Sequence, residues 1–270
     1  MADRFDSILL VGCGNMAGAM LRGWVAGGID PSRFTVADPA SPELPAGVHG
    51  LTAIPQDKTF DAILLGVKPQ ILDKVAAPVA ALAGRDTVLL SLLAGIGLAM
   101  LAETFPRAGA HVRVMPNLAV EIGKAPVAIA ASGLADDARA ELADLMAPLG
   151  TPEWVDERDF DLVTALAGSG PGFVYRFIDA LAAGAADLGL PRDQADRMAL
   201  AMVGGAAALA AASPHDPAEL ARRVASPGGM TQKGLDVLDQ DSALVSLLTR
   251  TLRASRVRGA ELAAEARAKG

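Results

Sequence analysis

Ile8-Leu9-Leu10-Val11-Gly12-Cys13-Gly14-Asn15-Met16-Ala17-Gly18-Ala19-Met20 is a short apolar run that breaks into glycines and resumes with helical spacing. That order predicts a buried strand, a tight turn and a helix of about three turns. Gly12, Gly14 and Ala17 read as G-x-G-x-x-A. The first glycine permits the turn, the second lets a pyrophosphate approach the backbone, and the alanine keeps helix and strand close. Unpaired N–H groups at the helix start then face the phosphates. Purely structural turns can carry the same pattern, so its place between a strand and a helix is what carries the dinucleotide reading.

The chain beyond repeats this order. Phe34-Thr35-Val36-Ala37 predicts a second strand ending in Asp38-Pro39. An acid about 20 residues past the glycines accepts hydrogen bonds from a ribose 2′-OH and repels a 2′-phosphate; an ordinary Asp-Pro turn accounts for the same residues equally well. Residues 39–50, rich in Pro, Gly and Ser, read as loop; Leu51–Ile54 reads as a third strand and Asp61–Val67 as a fourth. The fourth ends in Lys68-Pro69, where proline starts a helix through Ile71, Leu72 and Val75. Lys68 thus falls at the carboxyl edge of a parallel sheet, where doubly wound folds bind ligands, or is simply a solvated lysine at a helix start. Thr87–Leu93 and His111–Met115 complete the series, closed by Ala94-Gly95 and Pro116-Asn117. Their shared edge is where a nicotinamide would lie. Pro126–Ala131 reads as a further strand of open direction, and Asp136–Leu149 as an amphipathic helix with acids at its start.

From about Asp156 the apolar period changes from 2 to 3.6. The expected organisation is therefore an α/β, Rossmann-like dinucleotide-binding domain over residues 1–159, followed by an all-α domain over residues 160–270. Two breaks interrupt the helical half. Ala167-Gly168-Ser169-Gly170-Pro171-Gly172 precedes an apolar helix from Phe173 to Leu188, and Ser226-Pro227-Gly228-Gly229-Met230-Thr231 precedes a helix holding Leu235 and Leu238. Both present small residues and bare N–H groups at a helix start, which suits a carboxylate or phosphate; close helix packing is the plainer explanation.

Composition narrows the function. A net charge of −7, with no basic run interleaved with aromatics, argues against a nucleic-acid partner. Only 4% of the residues are aromatic, so helices pack through small side chains and are expected to finish burying themselves against a second copy. Cys13 is the only cysteine, which excludes an intramolecular disulfide and a cysteine metal cluster, and no metal is expected. It reads as a small filler, since no His or Lys stands near to activate it. Asp3, Arg4 and Asp6 precede a strand too short for a signal or transit peptide. No apolar run reaches the ~18 residues of a membrane span; Ala199–Ala212 comes nearest. A cytoplasmic protein with no membrane partner is expected.

Leu220-Ala221-Arg222-Arg223-Val224-Ala225-Ser226-Pro227-Gly228-Gly229-Met230-Thr231-Gln232-Lys233-Gly234-Leu235 closely resembles the signature of pyrroline-5-carboxylate reductases. Gly12–Met16, Val67-Lys68-Pro69, Arg113-Val114-Met115-Pro116-Asn117 and Gly168-Ser169-Gly170-Pro171 resemble other blocks of that family, in its order and spacing. The resemblance implies NAD(P)H-dependent reduction of the ring C=N bond of Δ1-pyrroline-5-carboxylate to L-proline, the last step of proline biosynthesis. It further implies a helical C-terminal dimerisation domain, a homo-oligomer with the dimer as minimal unit and a decamer as a larger form, and an active site completed by the partner's helices. Position by position, Gly12, Gly14, Asn15 and Met16 would cradle the pyrophosphate, and Val67, Lys68, Pro69 and Ala94 would flank the nicotinamide. Ser226, Gly228, Gly229, Met230 and Thr231 would hold the substrate, their N–H groups taking its carboxylate and the Thr231 hydroxyl lying near the ring nitrogen. Two departures stand out. Family members often carry Gly-Gly-Thr-Thr where this chain has Gly228-Gly229-Met230-Thr231, which leaves Thr231 as the catalytic hydroxyl candidate. Asp38 replaces small polar residues that accommodate a 2′-phosphate, which favours NADH over NADPH.

The residues that are absent fit the same chemistry. A carbonyl reductase must protonate an alkoxide and presents an acid for it, whereas a cyclic imine arrives protonated and needs mainly positioning. His49, His111 and His215 read as structural or solvated, and Tyr175 as packing against a helix core. A β-hydroxyacid dehydrogenase would place Lys and Asn on the helix that here reads Phe173-Val174-Tyr175-Arg176-Phe177-Ile178. Another imine reductase, and a non-catalytic dinucleotide sensor on the same fold, are the remaining alternatives; a sensor has no use for a second anion site.

Overall fold

Strands that are apolar at every position must be covered on both faces, and the chain meets this with a sheet between two helical layers. A computed structural model describes residues 4–267; Asp3 and the last three positions of the expected helical domain lie outside them. In chain order come β1 (Ile8–Val11), α1 (Asn15–Ala26), β2 (Phe34–Ala37), β3 (His49–Leu51), β4 (Ala62–Leu65), α2 (Leu72–Leu82), β5 (Val88–Ser91), α3 (Leu98–Thr104), β6 (Ala110–Met115), β7 (Ala125–Ser132), α4 (Asp136–Met146) and β8 (Gly150–Trp154). They form one eight-stranded sheet in the order β3-β2-β1-β4-β5-β6-β7-β8. All neighbours are parallel except β6 and β7. The β3-β2-β1-β4-β5-β6 part is the doubly wound order, whose direction reverses between β1 and β4.

The period of two divides the strands between two cores. Ile8, Leu10, Leu64, Leu90 and Val112 pack on one face with α1 and α4; Leu9, Val11, Ile63, Leu65 and Leu89 pack on the other with α2 and α3. Trp24 of α1 stacks on Phe34 at 5.3 Å, and its indole N–H donates to the Leu145 carbonyl at 2.8 Å. A large aromatic is thus buried with its polar atom satisfied.

Several elements differ from expectation. β3 is His49–Leu51, not 51–54, because Thr35, Val36 and Ala37 of β2 offer ladder partners only to those three residues. The helix expected through Ile71 starts at Leu72, after a 3₁₀ turn from Pro69. α4 stops at Met146, where a 3₁₀ turn containing Pro148 takes over. Its acids, Asp136 and Asp137, lie in the first turn, while the N-cap is Ala135 and makes no side-chain bond. β8, unforeseen because Gly-Thr-Pro-Glu-Trp carries no strand-like alternation, is built by its ladder with β7.

Helices follow: α5 (Phe160–Val163), a π-helical turn over Thr164–Gly168, α6 (Gly170–Asp187), α7 (Arg192–Ala212), α8 (Pro217–Val224), α9 (Met230–Asp239) and α10 (Ala243–Arg267). The chain divides into two compact units, Met1–Ser169 with Ser255–Gly270, and Gly170–Ala254. In the second, Ala182, Ala195 and Ala199 make a small core where α6 and α7 meet, with Ile178 and Leu190 packed against it. Arg192 bridges to Asp179 of α6 at 2.6 Å and, along its own helix, to Asp196 at 2.8 Å, and holds the Asp179 carboxyl below the usual carboxylate range. Tyr175 does not pack against a core: it is 68% exposed, on a face of α6 that also exposes Val174 and Phe177. The core of this unit is alanine-sized and reaches no further than the α6–α7 seam.

By length and composition α7 could cross a membrane, contrary to the expectation that no segment would. Met198, Leu200, Met202 and Leu209 are exposed on it among alanines and glycines, and its first two turns carry Arg192, Asp193, Asp196 and Arg197.

Candidate active site

Val11, Ala37, Leu65 and Ser91 stand level across β2, β1, β4 and β5, so the residues after them open on one edge. The ladder runs one residue further: Gly12 N–H donates to Ala37 O, Gly66 N–H to Val11 O and Leu92 N–H to Leu65 O. Gly12, Asp38, Val67, Lys68, Pro69 and Ala94 therefore all belong to the carboxyl edge of the sheet. Gly12 turns there with φ +84°, and a Cβ on it would stand 2.7 Å from Val67 Cγ1. Glycine is thus required twice over, for the left-handed backbone and for the approach of the β4 loop.

Gly66 is an equal partner in that packing. A Cβ on it would meet Gly12 O at 2.5 Å and Ala17 Cβ at 2.7 Å. Ala17 does keep helix and strand close, and the glycine opposite it is what permits this. By contrast a Cβ on Gly14 would meet nothing within 4 Å. Gly14 is the N-cap of α1 and makes no side-chain bond, and the first turn, opened by Asn15 and Met16, holds no acid. The first N–H groups of α1 therefore face open space beside a bare backbone, the arrangement a pyrophosphate needs.

Asp38 fastens this loop. Its Oδ2 accepts from Cys13 N–H at 2.7 Å, and its Oδ1 accepts from Ala40 N–H at 2.8 Å. Both readings of this residue meet here: it makes the Asp-Pro turn, and it sits beside the glycine loop with acceptor capacity left on each oxygen. Burial, with the Asp38 charge beside it, pushes the Cys13 thiol up, as suits an inert filler. Lys68 is exposed at the start of its 3₁₀ turn, and no ion pair among the described residues engages it.

The two helical breaks come out differently. The first opens α6 at Gly170, three residues earlier than expected and directly after the π-turn, whose end is closed by Ser169 N–H donating to Thr164 O. Proline at position 171 has no N–H for the Ala167 carbonyl, its partner in an α-helical ladder. The Asn117 side chain supplies the donor instead, Nδ2 to Ala167 O at 2.9 Å, while its Oδ1 accepts from Ala119 N–H. The second break is a tight turn into a helix start. Gly229 N–H donates to Ser226 O at 2.8 Å, closing a turn with Pro227 second and Gly228, at φ +71°, third, the sequence demanded by a type II turn. Gly229 then caps α9, whose first turn has no acid and opens with Met230 and Thr231. Ser226, Gly228, Met230 and Thr231 are exposed. This loop belongs to the second compact unit and the sheet edge to the first.

Sequence reasoning missed Gly66, the bridging role of Asn117, and the pairing of buried Arg113 with half-buried Glu157. Gly66 gave the clearest signal, a glycine immediately after a buried strand; Glu157 lies in the run Asp156-Glu157-Arg158-Asp159 and reads as a solvated face.

The fold and its open edge define a doubly wound dinucleotide-binding protein with an appended helical domain. Residues 157–262 match the family described as pyrroline-5-carboxylate reductase dimerisation, and residues 7–95 match the family described as NADP oxidoreductase, coenzyme F420-dependent. The chain is 32% identical to the pyrroline-5-carboxylate reductase of Pseudomonas aeruginosa, over 95% of its own length and 96% of that protein's. It is 38% identical to the Synechocystis enzyme of the same name over 75% of each chain. Its fold superposes on the structure of a pyrroline-5-carboxylate reductase from Coxiella burnetii with a TM-score of 0.87 at 27% identity, covering 96% of this chain and 98% of the other. The chain belongs to the pyrroline-5-carboxylate reductase family.

Proposed function

We propose that the protein reduces Δ1-pyrroline-5-carboxylate to L-proline with a nicotinamide dinucleotide, as the last step of proline biosynthesis. The observation that carries this reading is the coexistence of two anion-ready helix starts, α1 behind Gly12–Gly14 and α9 behind Ser226–Gly229, in a chain 32% identical along almost its whole length to an enzyme of that name. In this reading residues 1–159 bind the dinucleotide, and residues 160–270 bind the substrate and dimerise.

The residues fit the group. Gly12, Gly14, Asn15 and Met16 hold the pyrophosphate on the N-terminus of α1, and Val67, Lys68, Pro69 and Ala94 line the nicotinamide side. When bound, the nicotinamide supplies a hydride to the ring C=N carbon. The α9 N–H groups hold the substrate carboxylate, and the Thr231 hydroxyl hydrogen-bonds at the ring nitrogen. The imine enters already protonated, so hydride transfer discharges a cation and no protein acid is called for. This agrees with the histidines: His111 is buried with its ring nitrogen on the Phe105 carbonyl, and His49 lies on the exposed edge strand.

NADH is the preferred cofactor in this proposal. Asp38 repels a 2′-phosphate, and no lysine or arginine lies between Arg33 and Lys58 to attract one. The exposed apolar face of α6 and the alanine-rich α7 are covered by a second copy of the chain, with the dimer as minimal unit and a decamer as the larger assembly. The protein works in the cytoplasm, without a nucleic-acid or membrane partner. The test is the oxidation of NADH and, separately, of NADPH by purified protein, with and without Δ1-pyrroline-5-carboxylate. Substrate-dependent turnover, faster with NADH, is expected. Cofactor binding without turnover would return the chain to the sensor reading.

A further inference from the structure

Arg113 is buried in β6, a costly place for a guanidinium unless it is fully engaged. The stretch after β8 engages it. Glu157 Oε1 accepts from Arg113 Nη1 at 3.0 Å, Asp161 stands 4.0 Å from Nη2, and the Phe160 ring centroid lies 3.9 Å from the guanidinium carbon. The same Glu157 oxygen also accepts from Leu98 N–H at 3.0 Å. It thereby caps α3, whose own N-cap, Gly97, has no side chain to offer. A Cβ on Gly97 would lie 3.1 Å from that oxygen, so the bare backbone there is part of the contact. One carboxylate oxygen thus ties together two adjacent strand ends, β6 through Arg113 and the loop after β5 through Leu98. That loop contains Ala94, one of the residues placed beside the nicotinamide. Asn117, at the end of β6, fastens the far end of the same stretch at Ala167.

We propose that Glu157 is a positioning residue for hydride transfer: through Arg113 and Leu98 it holds the Ala94–Gly97 loop and the end of β6 in the arrangement that seats the nicotinamide. This rests on the reductase reading. Glu157 touches neither substrate nor cofactor in this proposal; its effect is on the distance and angle at which the hydride leaves, and a misplacement of about 1 Å at a reacting centre costs about 100-fold in rate.

The test uses the full-length protein with Glu157→Ala and Glu157→Gln. It compares kcat, KM for pyrroline-5-carboxylate, NADH affinity by fluorescence, Tm, and the isotope effect with NADH deuterated at the transferred position. Glu157→Ala is expected to lose about 10- to 100-fold in kcat and to show a larger isotope effect, with NADH affinity close to wild type because the pyrophosphate loop is separately held. Glu157→Gln keeps an oxygen for Leu98 N–H and is expected to recover part of the loss. Wild-type kcat and isotope effect in the folded variants would overturn the proposal, as would a loss that merely follows Tm and is equal in both. Should Glu157→Ala fail to fold, Glu157→Gln decides alone: an intermediate kcat with a raised isotope effect supports the role, and wild-type values overturn it. A wild-type protein that turns over pyrroline-5-carboxylate with neither cofactor would overturn the reductase reading and this inference with it, an outcome visible before any variant is made.

Discussion

Two glycine turns lead into two helices in this chain, and they are held in opposite ways. The turn at Gly12–Gly14 is locked from outside. β2 takes the Gly12 N–H, Asp38 takes that of Cys13, and Val67 and Gly66 close against its back. The turn at Ser226–Gly229 is held by itself, through one backbone bond and the left-handed Gly228, and its residues face solvent. This difference suits the proposed roles: a phosphate cradle is preformed where neighbouring strands over-determine the backbone, and a loop proposed to meet substrate keeps its N–H groups open for what it binds.

Substitutions can break this contrast. The largest effect is expected from Gly12→Ala. A left-handed alanine costs about 1–2 kcal/mol, and the new methyl overpacks Val67 at a further cost of about 1–3 kcal/mol. A calorimetric Tm lower by about 5–10 °C, with NADH binding weakened beyond titration at wild-type concentrations, is the expected outcome. Unchanged Tm would mean that the cradle is not locked as described. Thr231→Ala should be silent in both of those measurements, because Thr231 is exposed and its side chain makes no hydrogen bond among the described residues. It should instead lose about 1–1.5 kcal/mol of transition-state binding, about tenfold in kcat/KM for pyrroline-5-carboxylate. An unaltered kcat/KM with the substrate would remove its assigned role.

Asp38→Ser gives the smallest and most discriminating effect. Serine removes a charge that repels a 2′-phosphate, and it also loosens the Cys13 N–H. NADH affinity should therefore fall by a few-fold while the ratio of kcat/KM for NADPH over NADH rises by about tenfold, as one favourable interaction of about 1.4 kcal/mol would give. Equal losses with both cofactors would make Asp38 a latch of the glycine loop only.

The parallel strands were legible because each is a fully apolar run ending in glycine, proline or a polar residue, which is what burial on both faces demands of β1, β4 and β5. β3 and β8 were misplaced or unseen because edge strands are specified by the partner they pair with, more than by their own pattern. His49–Leu51 is exposed for most of its length, and Gly150–Trp154 has no apolar residue before Trp154 except Pro152. The turns at Gly12–Gly14 and Ser226–Gly229, and the helices they open, were legible because turn chemistry is local. In the Gly168–Pro171 break the carbonyl that proline leaves without a donor is satisfied by a distant amide, Asn117, which a local reading could not name. Tyr175 was misread because helical spacing tells which residues share a face, and only packing tells whether anything covers it.

By itself the sequence determined the doubly wound half, the position of its glycine turn, the start of α9 and the family, since each is written in contiguous residues whose backbone needs are local. Tertiary structure alone decided that β7 runs antiparallel to β6, that Asp38 is bonded to the glycine loop, and that Glu157 joins Arg113 to the start of α3 across 44 and 59 residues of chain. The physical reason is that a buried charge or an orphaned backbone group is satisfied by whatever the fold brings within about 3 Å, and sequence separation places no bound on where that partner comes from.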